Sequence, residues 1–171
     1  AGAAPVRFVE VLRAAGALDP WLPEFARQEP VQPAENLRGA GAFAAFVSQL
    51  SAAEIEALTS RLKAPKSHQR LALWIVRNRA LWLDWRQADP VGLMEALAQV
   101  QAFKPDSGLR EVLQVAETLG ASDTEGLIDV VAGVGEQVSV EALQAQGLAG
   151  PGLGQALFEA RQEILRSAQK S

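Results

Sequence analysis

Residues 67–85 read SHQRLALWIVRNRALWLDW, and this stretch decides the fold. Leu71, Trp74, Ile75, Asn78, Leu81, Trp82 and Trp85 recur at steps of three and four, the spacing that lines side chains along one stripe of a helix. Leu73, Val76 and Leu83 widen that stripe until little of the circumference is polar. A helix apolar over most of its surface is enclosed by other helices, so the stretch is expected at the centre of a helical domain. Its three tryptophans can each bury roughly 150–250 Å². The polar remainder is biased in sign: Arg61, Lys63, Lys66, Arg70, Arg77, Arg79 and Arg86 lie in or beside the segment, with Asp84 the only acid among them. A basic margin along an apolar helix suits a polyanion. It equally suits a structural role, because Arg and Lys stems cover apolar surface while their heads stay in water.

Outward from this stretch the chain reads as short helices separated by breakers. Toward the start, Pro5 opens and Gly16 closes a helix with Phe8, Val9, Val11, Leu12 and Ala15 on its apolar side. Leu18, Trp21, Leu22 and Phe25 follow around Asp19-Pro20 and are expected to pack back on it. A proline-containing connection, residues 29–36, leads to an Ala- and Gly-rich helix with Phe43, Phe46, Val47 and Leu50. Ser51 and Glu54 have the spacing of a capping box, and the helix they open ends before Pro65. Toward the other end, Asp89-Pro90 starts a helix through Leu93, Met94, Leu97 and Val100, and another runs through Leu109, Val112, Leu113 and Ala116 to Gly120. Val130, Val131 and Val134 would suit a strand, but no second strand-like run exists to pair with it, so residues 121–137 are read as helical. Ser139 caps a brief helix ending at Gly147, and Pro151 leads the last one through Leu157, Ala160, Ile164 and Leu165. The pattern predicts an all-α, compact multi-helix domain in two sub-bundles, residues 1–65 and 66–171, around the Trp-rich helix.

At 171 residues the chain can bury a core without staples. Hydrophobic residues at 49% and charged residues at 21% are those of ordinary globular chains. No apolar run reaches the length of a membrane span, so no membrane partner is expected. The absence of cysteine removes disulfides, thiolate metal sites and a cysteine nucleophile, and makes a reducing, cytoplasmic location the expectation. His68 is the only imidazole, which leaves no histidine-rich metal site and makes a surface or capping role its expected one. No phosphate-binding P-loop or dinucleotide fingerprint is present, so the stretch is expected to be non-catalytic, with no cofactor of its own. Nothing here sets the oligomeric state, and a homo-oligomer stays open.

The net charge of −4 means that any nucleic-acid contact must be local. The bases concentrate between Arg61 and Arg86; the acids concentrate between Asp106 and Glu159, where Arg110 is the lone base. One further stretch has a mechanism, GLAGPGLGQAL at 147–157. Gly150, Gly152 and Gly154 bracket a helix start and leave backbone amides uncovered at the positive end of a dipole, two turns before Arg161. Such a start suits a phosphate, or else a corner where glycines let two helices approach closely.

Three separated stretches resemble one family, the C-terminal region of bacterial tRNA nucleotidyltransferases and poly(A) polymerases, the CCA-adding group. RFVEVLRAAGALDPWLPE at 7–24 resembles the family's segment after the nucleotide-selecting neck. VQAFKP at 100–105 is similar to its Asp-Ala-Phe-basic-Pro pattern, with Gln101 where an acid is usual. GPGLGQALFEAR at 150–161 resembles its terminal Gly-x-x-x-Gly helix. The family's nucleotidyl-transfer head, with its paired metal-binding aspartates, has no counterpart here, and neither has the histidine-aspartate phosphohydrolase insert that many relatives carry. The resemblance implies an all-helical body that holds the acceptor and T-arm of tRNA by its backbone. The head of the same parent chain would then carry magnesium and ATP or CTP. Charge placement, rather than any family motif, nominates Lys63, Lys66, Arg70, Arg77 and Arg79 as phosphate contacts, and the glycine loop adds Gly150, Gly152, Gly154 and Arg161. The rival from another class is a helical protein-interaction module in which the apolar helix docks a partner and the basic margin only solubilises.

Overall fold

The computed structural model describes residues 5–170 and is all-helical, with no strand among them. In order these are α1 (Pro5–Ala14), α2 (Leu18–Trp21), a 3-10 turn (Pro23–Ala26), α3 (Gly39–Phe46), α4 (Ala52–Arg61), α5 (Lys66–Arg77), α6 (Arg79–Leu83), α7 (Pro90–Gln99), α8 (Leu109–Thr118), α9 (Thr124–Gln137), α10 (Val140–Ala145) and α11 (Gly150–Ala168). Residues 124–137, the stretch that could have suited a strand, form one of the longer helices. None of the described helices is long and apolar enough to cross a membrane.

The chain forms two compact units. One takes the chain up to Arg79 with Glu111–Gly120; the other takes Ala80–Arg110 with the chain from Ala121 onward. This partition runs differently from the 1–65 and 66–171 division read from the sequence. It passes through the Trp-rich stretch itself. Instead of one helix over 67–85, α5 stops at Arg77 and α6 begins at Arg79. The break falls at Asn78, whose side-chain amide donates to the Trp74 carbonyl at 3.4 Å. An asparagine side chain competes with the backbone for the carbonyl four residues back, which is why a polar residue in the apolar stripe marks a fault rather than a register position.

In the first unit α5 is the core element. Leu71, Ala72 and Ile75 are buried, and α3 and α4 pack against it. α3 meets it with small residues, Gly41, Ala44 and Ala45, all buried. A side chain at Gly41 would start 3.3 Å from the Leu37 side chain, a tight approach that Leu37 would have to yield to. The Ser51 capping box forms as read: Ser51 Oγ accepts from the Glu54 amide at 3.3 Å and Glu54 accepts from the Ser51 amide at 2.7 Å. Phe25 is fully buried and packs on Phe46, ring centres 4.9 Å apart. Trp21 does not pack back as expected; it is 67% exposed, and Phe8 is 60% exposed. α2 is a single turn, and Leu18 within it and Leu22 just after it take the inward positions, which leaves Trp21 outside.

The second unit buries Trp82 and Trp85 with Leu93, Leu97, Leu127 and Leu165. Trp85 donates its indole N–H to the Asp123 carbonyl at 3.0 Å, and the Gln169 side-chain amide donates to the Trp85 and Ala88 carbonyls. Arg86 bridges the Asp123 carboxylate at 2.7 Å and the Ala168 carbonyl at 2.9 Å. Asp89 caps α7, accepting from the Gly92 amide at 2.8 Å.

The ion pair between Glu24 and Arg61 ties the 3-10 turn to the end of α4 through two bonds of 2.6 and 2.8 Å, with the Glu24 side chain only 7% exposed. Burial works to raise the Glu24 carboxyl, but the Arg61 hydrogen bond, a backbone hydrogen bond and the Arg61 charge together outweigh it and hold it below its ordinary value. A carboxyl lowered in the folded state stabilises the fold above its unfolded value and stops doing so as pH falls through the folded one. Glu24→Gln is therefore expected to cost about 1–2 kcal/mol at pH 7. In urea unfolding the difference from the parent chain should shrink progressively as pH falls below the ordinary carboxylate range.

Candidate nucleic-acid interface

The seven bases between Arg61 and Arg86 separate into two groups once their partners are placed. Three are structural. Arg61 is held by Glu24 and Arg86 by Asp123, and Arg79 turns inward to donate to the Ser48 carbonyl at 3.0 Å. Arg79 is thus drawn out of the expected row of phosphate contacts. Its position explains this: it lies beyond the break at Asn78, as the first residue of α6, and does not continue the stripe of α5. Arg77 remains on the surface, paired with Glu56 at 2.8 Å, both side chains about half exposed.

Lys63, Lys66 and Arg70 are exposed and have no carboxylate partner among the described residues. Lys66, Arg70 and Arg77 fall on one stripe of α5, at offsets of four and eleven residues, spanning roughly 16 Å along the axis. The Arg70 guanidinium lies over the Trp74 ring, 5.3 Å from its centre, which holds the side chain on that stripe. Lys63 stands just before it, at the turn between α4 and α5.

That turn carries two local costs. Lys63 adopts a left-handed backbone, φ 51°, at the position after a helix end where glycine is usual; the Ala64 amide closes the turn onto the Thr59 carbonyl at 2.9 Å. Lys66 is the first residue of α5, where a cation opposes the helix dipole. Pro65 precedes it, no side chain caps the helix, and the first turn holds no acid. His68 lies in the same turn, half buried, its ring centre 5.7 Å from that of Phe43. No cluster of three or more metal-binding side chains exists among the described residues.

The glycine loop belongs to the second unit. Gly150 sits at φ 54° and begins α11, with Ala149 before it making no side-chain cap. Gly150, Gly152 and Gly154 are exposed, and a side chain added at any of them would meet nothing within 4 Å. The close-approach explanation therefore fails. Arg161 lies two turns beyond Gly154 on α11, over the face of Phe103, 4.4 Å from its centre, and burial works against its charge. Sequence reasoning placed Arg161 beside the glycines but missed Phe103 and Lys104, which line the same groove. The motif VQAFKP was the available signal.

A second surface was not foreseen. Pro5, Phe8, Trp21, Phe43, Phe46 and Leu62 line an almost purely apolar groove of about 450 Å³ in the first unit.

Set beside known proteins, the chain is 27% identical over 186 residues to the multifunctional CCA protein of Pseudomonas putida strain KT2440, covering 97% of this chain and 48% of that protein. It is 27% identical over 180 residues to the CCA-adding enzyme of Pseudomonas putida strain F1, with the same coverage. The chain is thus distantly similar to CCA-adding enzymes and spans about half the length of the curated relatives it matches. No family model and no solved structure matches it.

The backbone at Lys63 gives a check independent of any ligand. Lys63→Gly is expected to raise stability by about 0.5–1 kcal/mol in urea unfolding, because relief of the left-handed strain exceeds the added freedom of the unfolded chain.

Proposed function

We propose that this chain is the tRNA-holding body of a nucleotidyltransferase of the CCA-adding kind. Lys63, Lys66, Arg70 and the shared Arg77 form a phosphate-binding row along α5. One observation carries the reading: three bases without carboxylate partners gather at an uncapped helix start, where Lys63 and Lys66 are each locally unfavourable. A phosphate backbone would relieve the charge at Lys66 and supply acceptors to the first amides of α5. Recognition of this kind follows backbone and shape rather than base sequence. The distant similarity to CCA-adding enzymes supports tRNA as the partner. On this reading nucleotidyl transfer, with its magnesium and nucleoside triphosphate, belongs to a catalytic head outside this stretch.

The rival reading, a protein-interaction module, draws its support from the apolar groove around Phe8 and Trp21. The helix first suspected of docking a partner is buried along Leu71, Ala72 and Ile75. Titration with tRNA at two salt concentrations separates the two. Binding should weaken steeply with salt, and Lys66→Glu with Arg70→Glu should lower the log–log salt slope by about 2 and the low-salt affinity by tenfold or more. Arg79→Gln should lower stability and leave the slope unchanged. Absence of tRNA binding at low salt, together with self-association abolished by Trp21→Ser, would establish the rival instead.

A further inference from the structure

α7, the loop after it and α11 enclose a groove of about 470 Å³ in the second unit, within the roughly 300–1,000 Å³ of small-molecule sites. Its lining has two chemistries. Met94, Phe103, Leu157 and Phe158 make an apolar surface with two aromatic rings, and Arg161 and Lys104 add two positive charges. Neither base has a carboxylate partner among the described residues; Glu159 and Glu163, the acids nearest Arg161 in sequence, bond to Gln155 and Arg166.

Two details show that Arg161 is held ready rather than used up, and two more concern the groove around it. Its guanidinium carbon lies over the Phe103 ring, 4.4 Å from the centre, which holds the group against that face of the groove. Its Nε is buried and has no hydrogen-bond partner, and an unmet buried donor is costly. Gly154 lines the same groove and a side chain there would meet nothing within 4 Å, so the groove is left open where any other residue would narrow it. Gln101, on the same lining, keeps a left-handed backbone at φ 54°, the kind of local strain that collects around ligand-holding segments.

We propose that this groove holds a single unstacked nucleotide, its base against Phe103, Phe158 and Leu157 and its phosphate on Arg161 and Lys104. Bases stack on aromatic rings and on guanidinium planes alike, and a guanidinium offers parallel donors to a phosphate. A free anion would leave the apolar surface wet, and an uncharged ring would leave Arg161 Nε unmet. The inference rests on the RNA-docking reading for the source of its nucleotide, since a bound RNA strand and a free mononucleotide present the same chemistry.

The whole chain, isotope-labelled, is titrated with AMP, CMP, adenosine and inorganic phosphate, and the amides of Phe103, Lys104 and Leu157 with the Arg161 Nε–H are followed by NMR. AMP and CMP should saturate these signals, with adenosine and phosphate each binding roughly tenfold or more weakly. Arg161→Met, which keeps the stem and removes the donors, should weaken AMP by roughly tenfold to a hundredfold. Gly154→Leu should block AMP while the protein stays folded, because the position is open and leucine is the better helix former. A response to phosphate that matches AMP, or AMP binding that survives both substitutions, overturns the proposal, as does no saturable response. A tRNA titration of Gly154→Leu assigns the source: weakened binding with an unchanged salt slope indicates a nucleotide of the RNA, and unchanged binding indicates a free mononucleotide. Failure of AMP with intact, salt-dependent tRNA binding would sink the groove and spare the docking row; AMP binding without any tRNA binding would do the reverse.

Discussion

The arrangement of the first unit depends on one constraint: the apolar face of α5, centred on Leu71, Ala72 and Ile75, must be covered. It is met by α3, whose inner face is Gly41, Ala44 and Ala45, so the larger side chains of α5 close onto a thin partner. Once Leu71, Ala72 and Ile75 are committed inward, the 3.6-residue repeat leaves Lys66, Arg70 and Arg77 together on the remaining strip. The basic row is therefore a consequence of core packing. A purely solubilising role would require only that some polar groups occupy that strip, and would be indifferent to their sign.

Much of this was legible locally. The capping signatures at Ser51, Asp89 and Ser139 form the bonds their spacing implies, and Gly16 and Gly147 end helices with positive φ. Such signals span four or five residues, so sequence proximity carries them in full. Asn78 shows the limit of such signals, since its spacing fits the apolar stripe while its side chain bonds the carbonyl four residues back at a break between two helices. Periodicity records which way a residue points, and it is silent on whether the backbone stays continuous.

The partners of the bases could not be read. Arg61 meets Glu24 across 37 residues, Arg86 meets Asp123 across 37, and Arg79 meets a carbonyl 31 residues away. Each bond depends on where the fold returns the chain, which no local pattern contains. The exposure of Trp21 was hidden for the same reason, because hydrophobicity sets a preference for burial without guaranteeing a surface to be buried against. The groove at Phe103 needed two segments more than fifty residues apart. Only the chemistry of its parts, an aromatic-basic-proline run and a glycine-spaced helix start, could be noticed beforehand.

What separates a functional row from residual surface charge is local cost. Lys63 strains its own backbone, and Lys66 stands at the wrong pole of its helix. Glycine at the first and an acid or serine at the second would each favour the isolated fold. The chain as a whole is acidic, so diffuse attraction to a polyanion is unavailable and these few cations must act at contact range. Bases that oppose both the local backbone and the overall charge, beside one end of one helix, are better explained by a phosphate that meets them than by solubility, which the chain's net negative charge already provides.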